Sequence, residues 1–318
     1  METKKLRPTP DGFATASDLL RAGGLVAFPT ETVYGLGADA CNSTAVAKVY
    51  EAKGRPSFNP LIVHVADLET AKRFAKFDEL ALSVADAFWP GPLTIVLPVR
   101  EDAGLSKLVT AGLNTVAIRI PAHPVAQDLL TTFNGPIAAP SANPSGGISP
   151  TSAAHVRAGL GGRIDAVING GKCNVGLEST IVQPMNGVCH ILRAGGVPAE
   201  EIAKVATIMD APKADTDAPS SPGQLASHYA PNASLRMNAD APTDSEYMIG
   251  FGVVAGQINL STSGDLVEAA ANLFAYLHMA DEDAQTLGKS KIAVAPIPMT
   301  GLGVAINDRL KRASAPRG

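Results

Sequence analysis

The chain has 318 residues, 46% hydrophobic and 18% charged, with a formal net charge of −4, which is enough for two globular domains. Basic and acidic side chains stand at 18 and 18 over residues 1–206 and at 8 and 12 over residues 207–318, so neither part carries the footprint of a tight nucleic-acid binder. Three cysteines without a C-x-x-C pair argue against a disulfide framework or zinc site, and with no apolar run of roughly 18 residues we expect a cytoplasmic protein.

Residues 13–22 predict a helix closed by Gly23-Gly24. A short buried strand over 25–28 runs into the polar turn 29–37, and Asn42 or Ser43 caps a helix to about Ala52, with Val46, Val49 and Tyr50 on one face. Gly54 and Pro56 end that helix. Residues 61–65 form an apolar strand, two helices fit 67–77 and 78–89, and strands follow over 93–99 and 115–120, with a short helix around Asp128. A strand over 137–139 opens into a Ser/Asn/Pro/Gly turn, then a helix covers 151–158. Strands are expected over 166–169, 179–183 and 188–192, the last two as a hairpin, and a helix over 198–208. Strand and helix alternate without a strict βαβ rhythm, so residues 10–208 read as a mixed twisted sheet with helices on its faces.

Composition changes at 210–221, a Pro/Ala/Asp/Ser stretch, and we place a linker over 209–240. It carries His228 and Tyr229, and a connector seldom keeps an aromatic residue unless something holds it. Residues 241–318 alternate strand and helix as a second, small α/β domain.

Lys53 and Arg55 lie two apart in a Gly/Pro-bounded turn, which suits polyphosphate binding but also a solvated helix C-terminus. Arg119 interrupts an apolar strand. Facing the core side it needs an anion, and facing away it is merely wet. Arg193 ends a strand, where ligand groups gather in α/β sheets. Ser141 and Asn143 can contact phosphate or ribose, or simply make a turn. His64 is a structural strand histidine or a site residue. No P-loop, G-x-S-x-G or H-E-x-x-H sequence occurs, and none of three Gly-x-Gly pairs completes a dinucleotide fingerprint. These residues suit a phosphorylated small molecule and leave the reaction open.

The same residues carry a resemblance. PTETVYGLG (29–37), KGRP (53–56), NPLIVHV (59–65), WPGPLT (89–94), VAIRIP (116–121), APSAN (139–143), LESTIV (177–182), LRAGG (192–196), SPG (221–223), HYAP (228–231) and GLGVAINDRLKRA (301–313) resemble, in order, the two-domain form of the YrdC-like family of threonylcarbamoyl-AMP synthases. One departure is Gln224, where the family pattern has methionine. The resemblance implies a YrdC-like domain with a concave basic face and a smaller Rossmann-like domain. It implies that L-threonine, bicarbonate (or CO2) and ATP give threonylcarbamoyl-AMP and pyrophosphate, and that a partner threonylcarbamoyltransferase complex moves the group to tRNA adenosine. Thr32, His64, Arg119, Ala139 and Ser179 would then hold threonine. Lys53, Arg55, Asn59, Thr115, Ser141, Asn143, Ser149, Arg193 and Tyr229 would serve ATP, with Lys53 and Arg55 also catalytic and Mg2+ riding on the triphosphate. The competing readings are an RNA-binding module and a related carbamoyl-transfer domain of the hydrogenase-maturation type, whose zinc-binding cysteine pairs this chain lacks.

Overall fold

The computed structural model describes residues 2–56, 59–210 and 228–316. Residues 221–224, with the SPG motif and Gln224, lie outside them, as does most of the expected linker. Among the described residues two sheets form. The larger has eleven strands, in spatial order Lys4–Leu6, Ala166–Ile168, Val26–Phe28, Gly35–Asp39, Ile137–Ala138, Ile62–His64, Thr115–Arg119, Leu93–Pro98, Thr180–Met185, Val188–Arg193 and Ile208–Asp210. Parallel and antiparallel pairs alternate irregularly, as a mixed sheet requires. The smaller sheet is wholly parallel, in the order Ser234–Arg236, Lys291–Val294, Glu246–Gly250 and Ile258–Asn259, with the helices Leu266–Thr286 and Leu302–Ala313.

Local chemistry sets the elements around the site. Asn42 caps the helix Ser43–Lys53 by accepting from the Thr44 and Ala45 N–H groups, and Gly54 ends it at φ 60°, a left-handed conformation glycine adopts without strain. The hairpin Thr180–Met185 with Val188–Arg193 forms as expected. Ile62, Val96, Ala117 and Ile181 cluster on one face of the sheet, while Val63, Ile95, Ile118 and Val182 fill the main core on the other.

Four expectations shift. Residues 35–39, within and beyond the expected turn, make a central strand. A Cβ on Gly37 would lie 2.9 Å from Ile137 and 3.0 Å from Phe28, so the packing demands a strand without side chains there, and strand propensity could not signal it. The helix expected over 198–208 is only Ala199–Ile202, and Ile208–Asp210 joins the sheet beside Val188–Arg193. Lys4–Leu6 pairs as an edge strand with Ala166–Ile168, so the first domain reaches past both ends of 10–208. Ser234–Arg236, inside the expected linker, belongs to the second sheet.

The domains share apolar packing. Val33, Ile148 and Leu177 lie in one cluster with Leu273, Phe274 and Leu277 of the second domain. Gly176, at φ 72°, brings its backbone so near the helix Leu266–Thr286 that a Cβ would meet the Ala270 carbonyl at 2.3 Å.

Candidate active site

The sheet face bearing Ile62 forms the floor of a cavity enclosing about 590 Å³, mouth included. Strand register places His64 beside Arg119 there, because Ile62–His64 and Thr115–Arg119 run parallel with those two residues paired. The choice left open for Arg119 is thereby settled. Arg119 faces away from Ile118, as alternation demands, yet it is buried, because the cavity walls cover that face. Its Nη2 donates to Glu31 Oε1 at 2.6 Å, Nη1 to Thr32 Oγ1 at 2.8 Å and Nε to the Gly91 carbonyl at 3.1 Å. Of five guanidinium N–H donors, two stay uncommitted among the described residues. Burial works to raise the Glu31 carboxyl, but the charge and hydrogen bond of Arg119 outweigh it and hold the group below its usual range.

The Thr32 hydroxyl has a fixed direction. Thr30 Oγ1 gives its proton to the Val33 carbonyl at 2.7 Å, so Thr32 Oγ1 donates to Thr30 and accepts from Arg119. His64 is neutral: burial first, then the Arg119 charge, pushes its pKa down to about 3. Its buried Nδ1 has no partner among the described residues. Ser179 shares a 2.7 Å hydrogen bond with Thr94, and its carbonyl accepts from Arg193 Nε and Nη2.

Arg55 and Arg193 are both buried, and burial pushes each pKa down to about 10. The Arg55 side chain donates to the Asn59 and Pro60 carbonyls. No ion pair with a carboxylate forms at Arg55 or Lys53 among the described residues. Buried guanidinium charge without a matching carboxylate is costly and marks a place for an anionic ligand.

Nine of the fourteen expected site residues line this one cavity: Thr32, Arg55, His64, Arg119, Ala139, Ser141, Ser179, Arg193 and Tyr229. The other five stand behind or beside it. Lys53 Nζ donates to the Ser141 and Asn143 carbonyls at 2.6 and 2.5 Å, tying the Ser-x-Asn turn to the helix end. Burial, then the Arg55 charge, drives its pKa well down. The Asn143 amide closes its own loop onto the Pro144 and Gly147 carbonyls. Ser149 donates to Glu178 at 2.6 Å. Thr115 starts its strand opposite Pro98, half-buried. Asn59 is fully buried, with both amide atoms unpartnered among the described residues.

Tyr229 closes the cavity at φ 64°, an uncommon conformation for a tyrosine. Its ring lies 4.1 Å from His228 and 5.4 Å from Phe274, with the Arg309 guanidinium 5.6 Å away. Ala230 N–H donates to the Gly146 carbonyl and His228 N–H to Arg312, so the segment is tied to both domains. Sequence reasoning missed Thr30, Glu31, Glu178 and Arg309. Glu31 and Glu178 stood inside quoted motifs, but a carboxylate there gives no sign of its partner, 88 or 131 residues away.

Fold and site together define a mixed-sheet α/β protein with a cavity lined by buried cationic side chains, beside a small parallel α/β domain. Residues 18–195 match the family described as "Telomere recombination", the Sua5, YciO and YrdC proteins, and residues 197–315 match the threonylcarbamoyl-AMP synthase C-terminal domain. The threonylcarbamoyl-AMP synthase of Bacillus subtilis is 41% identical over 99% of this chain and 96% of its own length. That of Pyrococcus abyssi is 40% identical over 95% and 94%. The crystal structure of P. abyssi Sua5 complexed with L-threonine superposes with a TM-score of 0.87 at 38% identity, covering 99% of this chain and 98% of that one. The chain belongs to the Sua5/YrdC family, in its two-domain form.

Proposed function

We propose that the cavity joins L-threonine, bicarbonate (or CO2) and ATP into threonylcarbamoyl-AMP. The observation that carries this is the meeting, on one sheet face, of a carboxylate-ready Arg119 with the buried cations Arg55 and Arg193. The synthase names of relatives alike over nearly the whole chain support it.

Threonine's carboxylate takes the two uncommitted donors of Arg119, with Thr32 fixing the guanidinium and neutral His64 beside it. The threonine nitrogen bonds to the carbon of bicarbonate, and water leaves. An oxygen of the resulting carbamate attacks the α-phosphorus of ATP. The bond from that phosphorus to the bridging oxygen breaks, and pyrophosphate departs with the electron pair. Arg55 and Arg193 stabilise charge on the phosphates, the expected core of such a transfer. Lys53 acts through the turn it fastens, holding Ser141 at the cavity wall. Tyr229 covers the nucleotide end. Among the described residues no group of three or more His, Cys, Asp or Glu is placed to hold a metal. The cavity carboxylate Glu178 is already engaged by Ser149 and Arg309. In this reading Mg2+ enters as part of the nucleotide substrate, held by triphosphate oxygens and water.

Among the described residues no helix is long and apolar enough to cross a membrane. We place the reaction in the cytoplasm, with the product passed to a complex that modifies tRNA and no tight tRNA binding by this chain. Incubation with ATP, Mg2+, 13C-bicarbonate and L-threonine should release pyrophosphate and yield a threonine-dependent, 13C-labelled AMP adduct by mass spectrometry. Folded protein that yields no adduct would sink the reading.

A further inference from the structure

A side chain of the second domain reaches the wall of the cavity. Arg309, on the helix Leu302–Ala313, is completely buried, and its Nε donates to Glu178 Oε2 at 2.9 Å. Glu178 belongs to the first domain and lines the cavity. Its other oxygen accepts from the Ser149 hydroxyl at 2.6 Å. The same guanidinium lies 5.6 Å from the Tyr229 ring centre, and Phe274, also of the second domain, backs that ring.

Such an arrangement is poorly explained as a stabilising device. A buried ion pair repays little of its desolvation cost, and apolar packing would join two domains as well. Its effect is local: it fixes the charge of a carboxylate facing the cavity. An ionised carboxylate only accepts hydrogen bonds, so Ser149 must turn its proton toward Glu178 and present its lone pairs elsewhere. A protonated Glu178 would release that constraint.

We propose that Arg309 is a positioning residue of the active site: the second domain supplies it to keep Glu178 ionised, and through Glu178 and Tyr229 it sets the nucleotide end of the cavity. The proposal rests on the synthase reading for its effect on turnover, but its effect on Glu178 can be measured without substrates.

The charged and titratable groups around Glu178 are Arg309 from the last helix, which also pairs with Asp308 at 2.8 Å, Arg193 from its strand, and His228 and Tyr229 from the inter-domain segment. Burial would raise the Glu178 carboxyl; the charges of Arg309 and then Arg193, with the bonds from Ser149 and Arg309, bring it below the usual range. His228 is pushed down to about 3 and Tyr229 up to about 12, each mainly by burial. Neither titrates between pH 5.5 and 8.5.

The test uses the full-length chain as wild type, Arg309→Met, Arg309→Lys, Glu178→Gln and the double variant Arg309→Met/Glu178→Gln. Without Arg309, burial dominates and the Glu178 pKa rises. The folded state then binds a proton more readily than the unfolded one. The deficit in melting temperature of Arg309→Met against wild type should be small at pH 5.5 and grow toward pH 8.5. In the double variant the deficit should be flat. Turnover should move the opposite way: kcat/KM for ATP in Arg309→Met falls about tenfold or more at pH 6, the scale of one lost charged hydrogen bond, and partly recovers at pH 8.5, where Glu178 ionises again. Arg309→Lys keeps the charge and should show the smaller loss. A deficit in stability and turnover that is the same at every pH, with or without Glu178, would overturn the proposal and leave Arg309 a packing residue. Should Arg309→Met not fold, Arg309→Lys against Glu178→Gln still decides: equal losses contradict the ionisation role. A wild type that forms no adduct defeats the synthase reading alone, since the thermal series is read without substrate.

Discussion

Arg119 donates through three nitrogens to Glu31, Thr32 and Gly91, so its guanidinium angle is set before any ligand arrives. Glu31 is the charged member of that frame, and its second oxygen is held by the Ala122 N–H at 3.1 Å. Glu31→Gln keeps the shape and removes the charge. At pH 7 it should cost about 1.5–3 kcal/mol, the worth of a charge-assisted hydrogen bond, and raise the KM for threonine more than that for ATP. The sign with pH follows from the lowered carboxyl. Its stabilisation is complete above the unfolded pKa near 4.5 and is lost as pH falls through the folded value. Denaturant titrations of wild type and Glu31→Gln should therefore differ at pH 7, with the gap narrowing progressively as pH falls below 4.5; a constant gap contradicts the assignment. At this scale the sequence was readable for residue type and blind to role. Arg119 in an apolar strand left a buried cation and a wet face equally open. That Lys53 fastens a turn while Arg55 faces the cavity depends on where a helix ends against residues 88 and 90 positions away.

At the scale of elements, Ser179 and Arg193 belong to neighbouring strand ends, and Gly195 locks them together. A Cβ on Gly195 would lie 2.4 Å from the Glu178 carbonyl and 2.5 Å from both Ser179 C and Thr180 N. Backbone cannot rotate aside as a side chain can, so Gly195→Ala must displace the segment carrying Glu178 and Ser179. We expect a loss of about 1–3 kcal/mol, the range for overpacking, with a raised KM for threonine. Gly187→Ala, in the distal turn of the same hairpin with nothing within 4 Å, should cost only its φ 79° strain and leave KM unchanged. Equal KM changes in both would contradict this. The hairpin itself was legible, because apolar runs flank the stretch Pro184 to Gly187, of which Asn186-Gly187 makes the turn. The strand Gly35–Asp39 was not, because what makes it a strand is room for its backbone between Phe28 and Ile137. Pattern records side chains, and these glycines have none.

At the scale of the molecule, the composition change after residue 209 suggested a boundary, but nothing in it showed how tightly the domains interlock. His155 and His278 stack across the interface with ring centres 4.0 Å apart, and His278 Nε2 lies 3.3 Å from the Ser149 carbonyl. Burial lowers both pKa values, with Lys172 adding to the effect at His155 and the His155 charge at His278, which falls to about 4 despite Asp281 nearby. A histidine that is harder to protonate folded than unfolded carries no penalty above the unfolded pKa of 6.5, and destabilises progressively as pH falls from there toward 4. The interface should thus weaken in mild acid before the carboxylate pairs are lost. His278→Phe keeps a ring against His155 and gives up the contact to Ser149, at a neutral-pH cost of about 0.5–1.5 kcal/mol. Its melting temperature should fall less steeply than wild type between pH 7 and pH 4.5; parallel curves would contradict the assignment. The consequence reaches the cavity, because the Ser149 whose carbonyl meets His278 also directs its hydroxyl to Glu178. Acid that separates the rings therefore loosens the residue on which the second domain acts, and wild-type KM for ATP should rise over the same pH window in which His278→Phe stays flat.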